Sequence, residues 1–162
     1  MTEFEQIARN TAATHKLNPA LLCALIETES SWVPTKTRYE AGFQKKYIDP
    51  MNLPAQEAQD RSTSWGLCQV MGQTAIEFGW KGPLQDLLEP VNGIEWGCRK
   101  LAQCFKNALK KTIHMPAAHA YDRVALLAYN GGADKEYPDR VLSKIGKYTG
   151  QVVTNTEIWG ET

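Results

Sequence analysis

Nothing in this 162-residue sequence runs apolar for the ~18 positions a membrane helix needs, so no membrane-spanning segment is expected. An excess of one charge is missing too. The 18 basic residues balance 18 acidic ones, whereas a nucleic-acid binder normally shows a basic surplus or stripe. Lys106, Lys110 and Lys111 lie close together and read as a solvated helix face. Cysteine and histidine are scarce. Cys23, Cys68, Cys98 and Cys104 form no C-x-x-C pair, and His15, His114 and His119 have no spacing that completes a zinc site, so neither metal nor cofactor is expected. The cysteines read as buried thiols acting as small apolar side chains, with a disulfide as the alternative. Met1 to Asn10 carries Glu3 and Glu5 without a basic-then-apolar pattern, so synthesis in the cytoplasm without a signal peptide is expected, unless another device exports the chain.

What is present suits one compact domain, expected to act as a monomer: 43% apolar and 22% charged residues, in a length that can bury roughly 70% of the unfolded surface. The pattern is helical almost throughout, which predicts a mainly α fold with little or no β structure. Thr2 followed by Glu5 is a capping box opening a helix towards Lys16. Asn18 before Pro19 caps a second helix, with Leu21, Leu22, Leu25 and Ile26 as its apolar stripe and Pro34 as its stop. Between Thr35 and Thr63 the periodicity fades into a long connection with short helical pieces at Phe43–Ile48 and Pro54–Asp60. A connection of that length is more often functional than idle. Gln73 to Phe78 reads as a short helix ending near Gly79. Val91, Ile94, Cys98, Leu101 and Phe105 mark one face of a long helix from Pro90 to Lys110, the expected central support of the core. A helix from about Tyr121, carrying Val124, Leu127 and Ala128, ends at Gly131 and Gly132. Pro138 to Tyr148 forms the last.

Glu29 falls seven residues after Leu22, four after Leu25 and three after Ile26, so on a helix it shares the face of the apolar stripe. Partial burial there disfavours the charged carboxylate, and the negative end of the helix dipole acts in the same direction. A carboxyl kept protonated near neutral pH can donate a proton to a glycosidic oxygen. The bland alternative is a glutamate that reaches solvent or caps a neighbouring segment. Glu27, two residues earlier, reads as a surface charge.

Three motifs follow in order: Glu29-Ser30 at a helix end, Gly66-Leu67-Cys68-Gln69-Val70 after a loop, and Ala128-Tyr129-Asn130-Gly131-Gly132 closing a later helix. Together they resemble the lytic transglycosylases of the soluble-lytic, goose-lysozyme-like group, across about Leu17 to Tyr148. The resemblance implies a lysozyme-like fold with a groove for the glycan strands of peptidoglycan. It also implies that Glu29 first protonates the glycosidic oxygen. Glu29 then takes the proton of the muramic 6-hydroxyl, whose attack leaves a 1,6-anhydro sugar.

Chemistry suggests roles for the neighbours. Ser30 can hydrogen-bond near the carboxylate or end the helix. Gln69 offers a donor and an acceptor to an acetamido or hydroxyl group. Gly66 would let backbone approach sugar, or simply serve a turn. Tyr129 presents a ring and a hydroxyl able to reach Glu29, with a core tyrosine as the rival reading. Asn130 binds sugar or fixes the helix end. Among Trp32, Tyr39 and Trp65, which lie near the motifs, Trp65 is the candidate platform for a sugar ring. Trp80, Trp96 and Trp159 are assigned to packing.

Two departures from the group's pattern matter. Cys68 stands where Met is usual, a mild change between adaptable apolar residues. The stretch between Glu29 and Gly66 is long and contains Arg38-Tyr39-Glu40, an R-Y-E that bacteriophage members often show. If Glu40 points into the groove, two carboxyl groups would suit a muramidase that uses water. If it pairs with Arg38 or a lysine, the one-carboxylate route stands. Small stand-alone members without a signal look like phage lysis or virion proteins, or enzymes carried by a secretion apparatus. The expected place of action is therefore the cell wall. A non-catalytic wall-binding protein is the alternative outside enzymes.

Overall fold

The computed structural model describes residues 1–111 and 119–150. His114, Trp159 and the tail beyond Gly150 lie outside them. The described chain is mainly helical. It opens with α1 (Glu3–Thr14), where Thr2 Oγ1 accepts from the Glu5 amide as the capping box predicts. Asn18 Oδ1 accepts from the Ala20 and Leu21 amides, and Pro19 sits at the first helical position of α2 (Pro19–Ser30). Asn18→Ala removes that cap and should cost about 1 kcal/mol of stability in a denaturant titration, with the m-value unchanged.

The centre of the core is α2. Every residue from Ala20 to Ile26 is buried, so the helix is enclosed on all sides rather than along one stripe. The long helix expected to hold that place, α6 (Pro90–Lys111), contributes one face instead: Ile94, Cys98 and Leu101 are buried, Phe105 packs against them at the edge, and Val91 is 61% exposed.

Between α2 and α6 the chain builds the wall of a groove. β1 (Thr37–Tyr39) leads into α3 (Ala41–Phe43), a π-helical turn (Gln44–Ile48), a 3-10 turn (Asp49–Met51) and α4 (Ala55–Arg61). β2 (Thr63–Trp65) then pairs antiparallel with both β1 and β3 (Val70–Met71), so Ser64 lies opposite Arg38 on one side and Met71 on the other. α5 (Gly72–Glu77) and a 3-10 turn (Leu84–Leu88) lead to α6 (Pro90–Lys111). α7 (Ala120–Tyr129) packs along α6, while α8 (Tyr137–Leu142) and α9 (Gly146–Thr149) pack on α2.

Several boundaries differ from the sequence reading. α2 ends at Ser30, not Pro34, because Ser31 and Trp32 both take left-handed backbone (φ 52° and 64°). On α7 the buried positions are Ala120, Ala125, Leu126 and Tyr129; Val124 and Leu127 are half-buried and Ala128 is exposed. The last helix is split into α8 and α9, since 143–145 form only turns. All four cysteines are free, with Cys23, Cys68 and Cys98 buried and Cys104 half-buried. Lys106 and Lys110 are exposed, as a solvated face requires. Among the described residues no helix is long and apolar enough to cross a membrane.

Candidate active site

A cleft of about 390 Å³ runs between the small sheet and the helices. Glu29 enters it from the end of α2, Arg38 and Glu40 from β1 and its exit, Ser64 and Met71 from β2 and β3. Gln69 comes from the turn between those strands, Lys100 from α6, and Ala128, Tyr129, Asn130 and Gly131 from the end of α7. The chain order explains the convergence. The abrupt left-handed turn at Ser31 and Trp32 stops α2 one residue after Glu29, so its side chain stays at the mouth of the core. That turn is held from three sides. Lys36 Nζ donates to the Glu29 carbonyl (2.6 Å), the Ser31 amide donates to the Glu27 carbonyl (3.1 Å), and Trp32 Nε1 donates to the Tyr148 hydroxyl (3.0 Å).

The Glu29 carboxyl is half-buried, and loss of solvent raises its pKa above the ordinary glutamate value. Several groups oppose that rise without cancelling it. The Tyr137 hydroxyl donates to Oε1 at 2.5 Å, and Lys100, Arg38 and Lys36 supply positive charge. The result is a carboxyl that keeps its proton further up the pH scale than a surface glutamate while its lone pairs are held in a fixed direction.

Glu40 does not stand free beside it. Its Oε1 lies 2.6 Å from Arg38 Nε, in an ion pair between an exposed arginine and a half-buried glutamate. Gln69 sits at positive φ (49°), and its Nε2 donates to the carbonyls of Lys36 and Gly66, both at 2.9 Å. Those two bonds fix which end of the amide is which, and they leave Oε1 buried with no partner among the described residues. A buried acceptor at a cleft wall is costly unless something donates to it. Tyr129 is buried, and its hydroxyl donates to the Cys68 carbonyl at 2.7 Å rather than to Glu29. Asn130 ends α7 at the cleft, followed by Gly131 and Gly132 at φ 90° and 86°.

Three of the sequence candidates lie outside this cleft lining. Ser30 is buried, and its hydroxyl donates back to the Ile26 carbonyl (3.1 Å) in the last turn of α2 rather than to the Glu29 carboxyl. Trp65 is enclosed in the core with Nε1 donating to the Asp60 carbonyl (3.1 Å), so it offers no sugar platform here. Gly66 has φ +69°, and an added Cβ would lie 2.4 Å from the Leu87 carbonyl oxygen; backbone packing, not sugar, requires it. Glu27, read as a surface charge, is an anchor: it accepts from the Tyr148 hydroxyl and from Lys147 Nζ (3.0 Å), tying α9 to α2. Trp80 and Trp96 do pack, edge to face at 4.7 Å.

Two residues near Glu29 carry no motif in the sequence: Lys100 in the cleft wall, and Tyr137, which lies outside the lining and reaches Glu29 from the core. Tyr137 sat one position before the expected start of the last helix, with no motif to mark it. Lys100 reads on paper as one more helix charge. Its signal was position: three residues after Gly97 and four before Cys104, it shares a face with small residues. Gly97 is needed there, because a Cβ would meet Cys68 Sγ at 2.4 Å; its absence brings α6 close enough for Lys100 to overhang Tyr129. Among the described residues no group of three or more His, Cys, Asp or Glu side chains is placed to hold a metal ion.

Comparison with known proteins accords with this geometry. The family model described as the transglycosylase SLT domain matches residues 6–140. The chain therefore belongs to the transglycosylase SLT family, whose members are lytic transglycosylases acting on peptidoglycan. The described fold, helical with a small three-stranded sheet, agrees with the lysozyme-like architecture. No curated protein and no solved structure matches the chain.

Proposed function

We propose that this member of the SLT family cleaves the β-1,4 bond between N-acetylmuramic acid and N-acetylglucosamine in peptidoglycan and leaves 1,6-anhydromuramic ends. Protonated Glu29 gives its proton to the glycosidic oxygen as the bond to the anomeric carbon breaks, the bonding pair leaving with that oxygen. The Glu29 carboxylate then takes the proton of the muramic 6-hydroxyl, whose oxygen bonds to the anomeric carbon. The acid is regenerated and no water is consumed. Gln69 Oε1, the unpartnered acceptor in the wall, suits an acetamido N–H or a sugar hydroxyl, and Asn130 suits the same class of contact.

The observation that carries this reading is the inequality of the two carboxyl groups. Glu29 is half-buried, raised in pKa and aimed by Tyr137, whereas Glu40 is held in an ion pair by Arg38. One carboxyl that works first as acid and then as base suits an internal nucleophile. Two-carboxylate hydrolysis needs a second group free to attack or to activate water. Mass spectrometry of digested, purified peptidoglycan tests the proposal. Anhydromuramic ends are expected, and reducing ends formed by water would sink it. In the same assay Glu40→Gln should lower turnover by less than about tenfold, because an ion pair open to solvent contributes little. Loss of activity comparable to that of a Glu29 variant would instead favour the hydrolase.

A further inference from the structure

Lys100 is a partly buried ammonium in the cleft wall with no carboxylate within ion-pairing distance among the described residues. Its Nζ lies 4.0 Å from the centre of the Tyr129 ring, a cation–π contact that fixes its place without neutralising it. The other cations near Glu29 are committed. Arg38 is paired with Glu40, and Lys36 donates to the backbone carbonyl of Glu29 rather than to its carboxylate. The remaining titratable neighbours among the described residues are the Tyr137 and Tyr129 hydroxyls, the buried Cys68 thiol and the half-buried Cys104 thiol, each of which loss of solvent pushes towards its protonated form. Among the described residues, Lys100 is therefore the cation of the cleft wall with neither a carboxylate nor a backbone carbonyl as its recorded partner.

We propose that Lys100 is a positioning residue for the reaction, acting through Glu29. It is the counter-charge that faces the carboxylate during the interval between the two proton transfers. The inference rests on the acid-then-base role of Glu29 proposed above. Between those transfers Glu29 is an anion in a partly desolvated wall, and an anion so placed is costly without a nearby cation. A lysine fixed over an aromatic face meets that need without bonding to the carboxyl and holding its proton away from the substrate. Burial makes the ammonium easier to deprotonate than a surface lysine, and the Glu29 carboxylate favours keeping it charged, so the two groups support each other's ionised forms.

Activity on the alkaline side falls as Glu29 loses its proton, so removing a cation that favours the carboxylate moves that limb to higher pH. In Lys100→Met the alkaline limb of kcat/KM on purified peptidoglycan should rise by about half a pH unit or more. Lys100→Gln, a second neutral variant, should do the same, and Lys100→Arg should keep the wild-type limb. The 13C titration of the Glu29 side-chain carboxyl in substrate-free protein should move in parallel. A carboxyl midpoint in both neutral variants equal to that of wild type overturns the proposal. So does a limb that moves while the carboxyl titration does not, since the change would then arise in substrate binding. A shift in Lys100→Arg as large as that in Lys100→Met points to packing and overturns it as well. If wild-type protein fails to cleave peptidoglycan, the functional reading falls, yet the carboxyl titration still decides what Lys100 does to Glu29.

Discussion

Glu29→Gln should reduce cleavage of purified peptidoglycan by about 100-fold or more while leaving the melting temperature within a few degrees of wild type. The substitution separates chemistry from architecture because an amide matches the carboxyl in size. Its oxygen can still accept from Tyr137, whose hydroxyl now donates to Glu29 Oε1 at 2.5 Å. Lys36 bonds to the backbone carbonyl of residue 29, so that hydrogen bond is kept. What is removed is the transferable proton and the anion that follows its departure, both of which the proposed reaction needs in one turnover. Replacing a half-buried ionisable group with a neutral one also avoids a desolvation cost, so stability should hold or rise slightly. Glu29→Ala is the less clean variant, since it strands the Tyr137 hydroxyl in a buried setting and adds a stability loss to the catalytic one. Near wild-type turnover by folded Glu29→Gln would refute the acid/base role, and no reading of the surrounding residues could rescue it.

The residues bearing the sharpest local signals were the ones legible in the sequence. Asn18 before Pro19 and Thr2 before Glu5 cap helices because each satisfies orphan amides within a few residues, information that is wholly local. Glu29 was found because its spacing to Leu25 and Ile26 is local as well, and because ordered motifs surround it. Tyr137 was not, since its role depends on α8 returning to the end of α2 more than a hundred residues later. The mistaken choice of α6 as the centre has a related cause. A helix buried on all sides shows weak periodicity, so α2 gave a fainter amphipathic pattern than α6, whose two faces differ. Trp65 and Gly66 show the opposite case: beside and inside a recognisable motif, they invite a substrate role, whereas the core accounts for Trp65 and the turn, the alternative open for Gly66, accounts for the glycine. The small sheet went unlocated because strands of two and three residues carry too little alternation to read.

Gly66 supports the second large expected effect, on stability. Gly66→Ala should destabilise the protein by about 2–5 kcal/mol, combining left-handed strain with an overpacking collision. In a chain of this size that lowers the melting temperature by roughly 5–20 °C. The added Cβ would lie 2.4 Å from the Leu87 carbonyl oxygen and 3.4 Å from its carbon, and backbone cannot swing aside as a flexible side chain can. The damage should also reach the cleft. The Gly66 amide donates to the Lys36 carbonyl (2.8 Å), and the Gly66 carbonyl accepts from Gln69 Nε2 (2.9 Å), so displacing this turn moves Gln69 with it. Turnover should therefore fall at temperatures well below the melting transition. Gly79→Ala is the control, because Gly79 also has positive φ (+98°) but an added Cβ there meets nothing within 4 Å. It should show the strain alone, about 1–2 kcal/mol, with activity preserved. The difference between the two variants isolates the contact with Leu87. Equal losses would mean that the motif glycine is retained for backbone conformation only, and that the Gly66 turn can shift without cost to the core.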